Sequence, residues 1–408
     1  MEKLYNLNEV GIYMKKMTIG LFTDTFYPFA DGVIMVVDNY ARRLVKYADV
    51  IVFAPKYIGE EFDDSSLPYK VVRCYPIELS TFENKLPIME LDEIYKREIE
   101  NFKLDLVHIH SPFALGKAGV EYAKKHNIPC VATMHTQFKQ EFLKVTNSYE
   151  EAERLINKII EVFDKCDECF AVNSEVAKIF HEEYGYKRLP KVMNNATEMV
   201  PLKDDAKNYI NDKYEIANDC KVFLFVGRMT ILKNILFIAE SLEKIKIKRP
   251  NLKFKMLYVG SGPDEDLLKQ KIKELKLEEN VIFLGKVIDR NLLASLYKRA
   301  DLFLFPSLYD ASSIVQIEAA SQNTPTIFIK GSATSATVTD NVNGLLSDNT
   351  TDAYSDKIIE AIENKELYNQ ISENAYNDLY KTWDDYVKNV YDMYIKLLKL
   401  DRWLIWKK

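Results

Sequence analysis

Short apolar runs alternate with amphipathic stretches along nearly the whole chain. Residues 18–23, 50–53, 70–72, 106–109, 130–133 and 169–172 read as buried strands. Most of these runs are continuously apolar rather than alternating, the mark of a parallel sheet covered on both faces. Between them apolar positions take helical spacing, at 33–47, 113–126 and 150–163 for example. The pattern pauses from about Ala196 to Asp219, where polar and charged residues dominate. It restarts with five more strands, at 222–226, 254–259, 281–284, 302–305 and 326–329. Strand–helix alternation of this kind builds doubly wound α/β domains. Two are expected in succession: 1–197, completed by a C-terminal helix within 381–408, and 198–380, with the hinge near Asn195. The last helix is expected from Trp383 to Leu398. Its apolar stripe of Trp383, Val387, Val390, Tyr391, Tyr394 and Leu398 reads as a packing face.

Length and charge narrow the function classes. A chain of 408 residues suits two or three domains. A formal net charge of −6 argues against general nucleic-acid binding, which needs a concentrated basic face. No apolar run is long enough to span a bilayer, and the first residues lack the basic-then-apolar order of a secretion signal. The expected location is the cytoplasm. Cys166 and Cys169 form a lone C-x-x-C with no second pair, so they read as buried residues at a helix–strand junction rather than a zinc or redox site.

Ligands of open α/β sheets lie beyond the carboxyl ends of the strands, so the residues after each strand carry the candidate chemistry. After the first strand, Gly32 opens a helix and would let backbone approach a ligand. His108 and His110 share one strand face, and His135 stands alone at the next strand end. No third metal ligand is near the pair, so polar contact or structural hydrogen bonding is the preferred reading. Arg228 and Lys233 follow the first strand of the second domain and suit a diphosphate; Asn234 is expected to cap the next helix. Asp310 and Glu318 lie across a strand-to-helix turn, and Glu318, flanked by Ile317 and Ala319, is expected to be partly buried. A buried acid needs donors, and a ribose diol supplies two. Asp264-Glu265-Asp266 imitates an acid-x-acid metal motif but opens a helix, where acids complement the dipole. No metal is inferred.

Taken together, G-R-x4-K-N at 227–234, the Asp310-x7-Glu318 element, His108-x-His110-Ser111-Pro112-Phe113, Thr133-x-His135-Thr136 and Asn343-Gly344 resemble the family-four retaining glycosyltransferases. The first-domain wording is similar to bacterial diacylglycerol glucosyltransferases within that family. The resemblance implies a GT-B fold, two doubly wound Rossmann-like domains facing a central cleft, and a hexosyltransferase with no cofactor beyond its nucleotide-sugar substrate. It also implies roles. Arg228 and Lys233 hold the diphosphate, Glu318 the ribose, and Asp310 the sugar hydroxyls. Backbone at Ser312, Ser313 and Ile314 touches phosphate, the loop at Lys286-Val287 reads the base, Gly32 lines the cleft, and His135 meets the sugar. The sequence departs from the family where Asp310 replaces the usual Glu, where Ala311 and Ser313 replace glycines, and at Ala196 and Asn323-Thr324.

The expected reaction moves a hexose, UDP-glucose being the first donor to consider, onto a membrane lipid with an α-linkage. A surface polysaccharide or other glycan is the alternative acceptor, and an inactive partner of another transferase is the alternative from outside enzymology; a sugar-nucleotide epimerase is a third. Retention of the Arg228–Lys233 clamp argues against a scaffold. Residues 136–144 mix Phe138 and Phe142 with lysines, and the C-terminus adds Trp403, Trp406, Lys407 and Lys408. That composition makes an anionic membrane surface a candidate partner, at the inner face of the plasma membrane.

Overall fold

The computed structural model describes residues 4–5, 14–29, 31–57, 59, 62–74, 76–78, 89–91, 93–308 and 310–405. The chain forms two compact units, Met1–Asn194 with Trp383–Lys408 and Asn195–Thr382.

The first unit is built on β1 (Thr18–Phe22), β2 (Asp49–Pro55), β3 (Lys70–Cys74), β4 (Leu106–Ile109), β5 (Cys130–Met134), β6 (Glu168–Ala171) and β7 (Lys191–Val192). They form one sheet in the order β7-β6-β5-β4-β1-β2-β3, and every pair is parallel. All residues of β4 and β5 are buried, which explains their unbroken apolar runs. The strand β7 was missed by the hydrophobic pattern because both its residues are exposed. Helices follow near the expected places, at Gly32–Leu44, Ala114–His126 and Tyr149–Phe163.

The second unit repeats the plan with β8 (Lys221–Val226), β9 (Phe254–Val259), β10 (Val281–Phe283), β11 (Leu302–Leu304), β12 (Thr326–Ile329) and β13 (Leu345–Ser347). Its order is β10-β9-β8-β11-β12-β13, again parallel throughout. The three-residue β13 is too short to announce itself by periodicity. The polar stretch after Ala196 holds a surface helix, Asp205–Lys213, that buries Ile210 alone.

A single device aligns strand starts in both sheets. An aspartate just before one strand accepts a backbone N–H at the start of its neighbour. Asp105 takes Thr18 N at 2.8 Å, Asp167 takes Cys130 N at 2.7 Å, and Asp301 takes Val222 N at 2.8 Å. Each bond satisfies a donor at the start of a strand, beyond the last pair of the ladder.

The last helix, Trp383–Ile405, belongs to the first unit. Trp383, Val387, Val390 and Tyr394 are buried, as a packing stripe requires. Trp383 meets the Tyr40 ring edge-on at 5.9 Å and Tyr391 stacks on Tyr47 at 5.0 Å. Truncating a buried tryptophan to alanine costs about 3–5 kcal/mol, so this contact is a main fastening of the helix. The helix runs past Leu398 because residues 399–405 contain no glycine or proline to stop it. The C-terminal side chains named for membrane contact lie outside the described residues. The five cysteines are free thiols and all are buried, with Cys166 Sγ 3.8 Å from Cys130 Sγ.

Candidate functional site

Each sheet reverses its strand order at one place, between β1 and β4 in the first unit and between β8 and β11 in the second. Crevices at such points are where doubly wound sheets bind ligands. The two are chemically opposite. In the first unit, the second residue after β1 is the buried Asp24. Its carboxylate accepts Leu115 N at 2.8 Å, Ser111 Oγ at 2.6 Å and Phe113 N at 3.2 Å. The protein's own anion thus fills the start of the Ala114–His126 helix. Burial raises the Asp24 pKa, while these hydrogen bonds oppose the rise. In the second unit, β8 is followed by Arg228 and Lys233.

Arg228 is exposed. Lys233 closes a short 3-10 turn, Ile231–Lys233, and forms an ion pair with Asp310 in the loop after β11. The switch point therefore joins two residues 77 apart in sequence. The Lys233 ammonium also lies 5.5 Å from the Phe305 ring centre. Asn234 does not cap the next helix with its side chain. Its backbone is left-handed, and its amide donates to Pro306 O at 3.2 Å, tying the β8 loop to the end of β11. Asp264 stands at the helix start with Glu265 and Asp266 in the first turn, as the dipole reading expects, but Asp264 also has a second role. It makes no side-chain cap, and its carboxylate accepts Ile231 N at 2.8 Å, so it braces the cation-bearing loop. That loop also needs Gly260, which has φ +127°; a Cβ there would lie 1.9 Å from Gly227 O.

The loop after β11 leads into the helix Ile314–Ser321. Ser313 is its N-cap, accepting Gln316 N at 3.1 Å, and Ser312 Oγ accepts Asn195 Nδ2 at 3.0 Å. The first N–H groups of a helix lack intrahelical partners, so Ile314 opens an anion-binding end beside Asp310. Glu318 is buried, one turn further along. Its donors come from the protein: Arg290 Nη2 at 2.6 Å to Oε1 and Tyr297 Oη at 3.1 Å to Oε2. Neither partner was legible in the sequence, although a search for donors at helical spacing would have paired 290 with 297. Val287 is half-buried in the loop that runs from β10 to Arg290.

In the first unit Gly32 begins its helix behind the N-cap Asp31 and is exposed. A Cβ added there would meet no protein atom within 4 Å. The protein itself does not demand glycine at this position. His108 and His110 stack at 4.1 Å, as their shared strand face requires. His108 spends both nitrogens internally, Nδ1 2.5 Å from Tyr394 Oη and Nε2 2.8 Å from Thr133 Oγ1. It is a structural hydrogen-bonding residue. His110 Nδ1 lies 3.0 Å from His135 Nε2. A sugar contact by His135 is thereby left to Nδ1. Burial lowers all three imidazoles, His108 and His135 to about 3, and the neighbouring histidines add to the effect on His108 and His110. The row is neutral at ordinary pH and suits polar recognition. Phe138 and Phe142 are buried, which removes both aromatics from the surface proposed for membrane contact. Among the described residues no group of three or more His, Cys, Asp or Glu is placed to hold a metal, and no helix is long and apolar enough to cross a membrane.

Residues 30–197 match the family described as Glycosyltransferase Family 4, and residues 207–378 match Glycosyl transferases group 1. The chain belongs to the glycosyltransferases of the GT-B, family-four type, and is a hexosyltransferase. Within that class it resembles the bacterial diacylglycerol glucosyltransferases. It is similar to an alpha-monoglucosyldiacylglycerol synthase of Acholeplasma laidlawii, 26% identical over 345 residues, covering 81% of this chain and 84% of that protein. A second, from Streptococcus pneumoniae, is 22% identical over 318 residues, covering 76% and 70%. Among solved structures, sucrose-phosphate synthase of Thermosynechococcus elongatus aligns with TM-score 0.78 at 16% identity, covering 94% of this chain and 100% of that one. Anabaena Alr3699/HepE in complex with UDP and glucose aligns with TM-score 0.71 at 16% identity, covering 92% and 99%. These structural likenesses establish the fold.

Proposed function

We propose that this protein transfers a hexose from a nucleotide sugar, UDP-glucose first among donors, to a diacylglycerol-type lipid with retention of configuration and without a metal. The observation that carries the donor assignment is the second switch point, where Lys233 pairs with Asp310 in the loop that leads into the Ile314–Ser321 helix and Arg228 stands on the same loop as Lys233. Negative charge develops on a departing nucleoside diphosphate, and fixed cations and helix N–H groups stabilise that charge more as the bond breaks. Asp310, one methylene shorter than glutamate, is proposed to face the sugar while holding Lys233. Ser312, Ser313 and Ile314 are proposed at the phosphates, Val287 at the base and Glu318 at the ribose. In the first unit Gly32 and His135 are proposed to touch the sugar. No protein nucleophile is assigned.

The acceptor reading is supported by the names of the relatives, two alpha-monoglucosyldiacylglycerol synthases. Lys139 and Lys144 stay on the Phe138–Thr146 helix as the basic part of a surface for anionic lipid. Peripheral attachment at the inner membrane face follows from that reading. The experiment is mass spectrometry of products from a panel of sugar nucleotides with diacylglycerol, a glucosylated lipid and soluble glycans. Proton NMR of the product reads its anomeric coupling. An α-linked glycolipid is expected. A β-linkage overturns retention, and efficient transfer only to soluble glycans overturns the lipid acceptor.

A further inference from the structure

Glu318 is a carboxylate whose side chain is only 6% exposed, yet it already has two donors, Arg290 and Tyr297. Both donors sit on one helix, Arg290–Arg299, seven residues apart and so on one face. The start of that helix is fixed by Asp289, whose carboxylate accepts Asn291 N at 2.8 Å and Leu292 N at 3.2 Å. Arg290 is itself 42% exposed and lies 3.8 Å from Glu198. Burial, then the adjacent Glu318, push the Tyr297 phenol well above its ordinary pKa, so it stays a donor. A carboxylate has about four lone-pair sites, so two protein donors leave about two for a ligand. Removing one partner of a buried, hydrogen-bonded ion pair leaves the other uncompensated, so Arg290 and Glu318 hold each other in place.

We propose that Arg290 is a positioning residue for the donor, holding the Glu318 carboxylate aimed so that its remaining lone pairs receive the ribose diol. The inference rests on the reading of Glu318 as a donor ligand. Arg290 immediately follows the loop that carries Val287, so the segment proposed to read the base also delivers the group that readies the ribose acid. No sequence motif assigns it.

Titration calorimetry with UDP, ADP and GDP first identifies which diphosphate the wild type binds best. That probe is then titrated into Glu318→Gln, Arg290→Met, Arg290→Lys and Tyr297→Phe, each compared with wild type. Glu318→Gln is expected to weaken binding about tenfold or more, the scale of hydrogen bonds to a charged group. Arg290→Met is expected to weaken binding about tenfold, because Glu318 then loses the donor that fixes its orientation. Arg290→Lys keeps a cationic donor and should follow wild type. Tyr297→Phe, nearly isosteric, should show a smaller loss. Wild-type affinity in Arg290→Met, or a loss in Arg290→Lys equal to that of Arg290→Met, overturns the proposal. Wild-type affinity in Glu318→Gln, or no binding of any diphosphate by wild type, overturns the donor reading instead.

Discussion

Arg228 and Lys233 are assigned one role, but the structure separates their effects on stability. Arg228 is exposed. Lys233 pairs with Asp310, and their side chains are 23% and 21% exposed. On the proposed roles, removing either cation takes one charge contact from the breaking bond. Loss of one such contact typically lowers kcat about a hundredfold, or about 2.7 kcal/mol. Arg228→Ala and Lys233→Ala should therefore look alike in turnover. In the empty protein they should differ. A pair this enclosed lies between the exposed and buried cases, so losing Lys233 costs about 1–2 kcal/mol of folding stability. For a unit the size of Asn195–Thr382, each kcal/mol shifts the melting midpoint by about 2–4 °C. Lys233→Ala should melt about 2–8 °C lower, and Arg228→Ala should melt like wild type. The assay is donor turnover at saturating acceptor beside calorimetric melting, with Lys233→Ala/Asp310→Ala included. Because Asp310 is itself proposed to face the sugar, the double variant is read in one direction only: recovered turnover would mean that Lys233 serves mainly to neutralise Asp310. Recovery in the double variant, or near-normal turnover in Arg228→Ala, refutes the clamp.

Other expectations follow from the same geometry. Gly32→Ala should melt normally, since its new methyl group meets no protein atom, yet lose turnover if substrate approaches that backbone; full activity removes Gly32 from the site. The histidine row predicts acid lability. His108 and His135 titrate near 3 when folded against 6.5 otherwise. The unfolded chain binds protons first, so stability is full above 6.5 and falls as pH drops from 6.5 toward 3. Each such imidazole contributes up to about 1.4 kcal/mol per pH unit in that window, and denaturant melts at pH 7.5 and 5 check the slope. Turnover is expected to persist in chelator, and loss restored by magnesium or manganese would contradict the metal-free reading. Anionic vesicles should sediment the protein at low salt, and truncation after Leu400 should weaken this; indifference to anionic lipid ends the membrane proposal.

Much of this protein is determined by residues close in sequence. Unbroken apolar strands need two covered faces, and their alternation with amphipathic helices leaves the doubly wound sheet as the natural outcome. The stripe on the last helix likewise announced a buried face through Trp383, Val387 and Val390. The candidate residues stood at strand ends because that is where such sheets leave backbone groups free. Other features depend on strand order, which local periodicity does not encode. The adjacency of β8 and β11 brings Lys233 to Asp310, and the packing of two helices brings Arg290 and Tyr297 to Glu318. Phe138 and Phe142 read as surface aromatics until the fold buried them. Sequence spacing constrains what one element can present, whereas which charge meets which acid depends on side-chain contacts between elements, 28 residues apart for Arg290 and Glu318 and 77 for Lys233 and Asp310, and only the packed tertiary structure decides those.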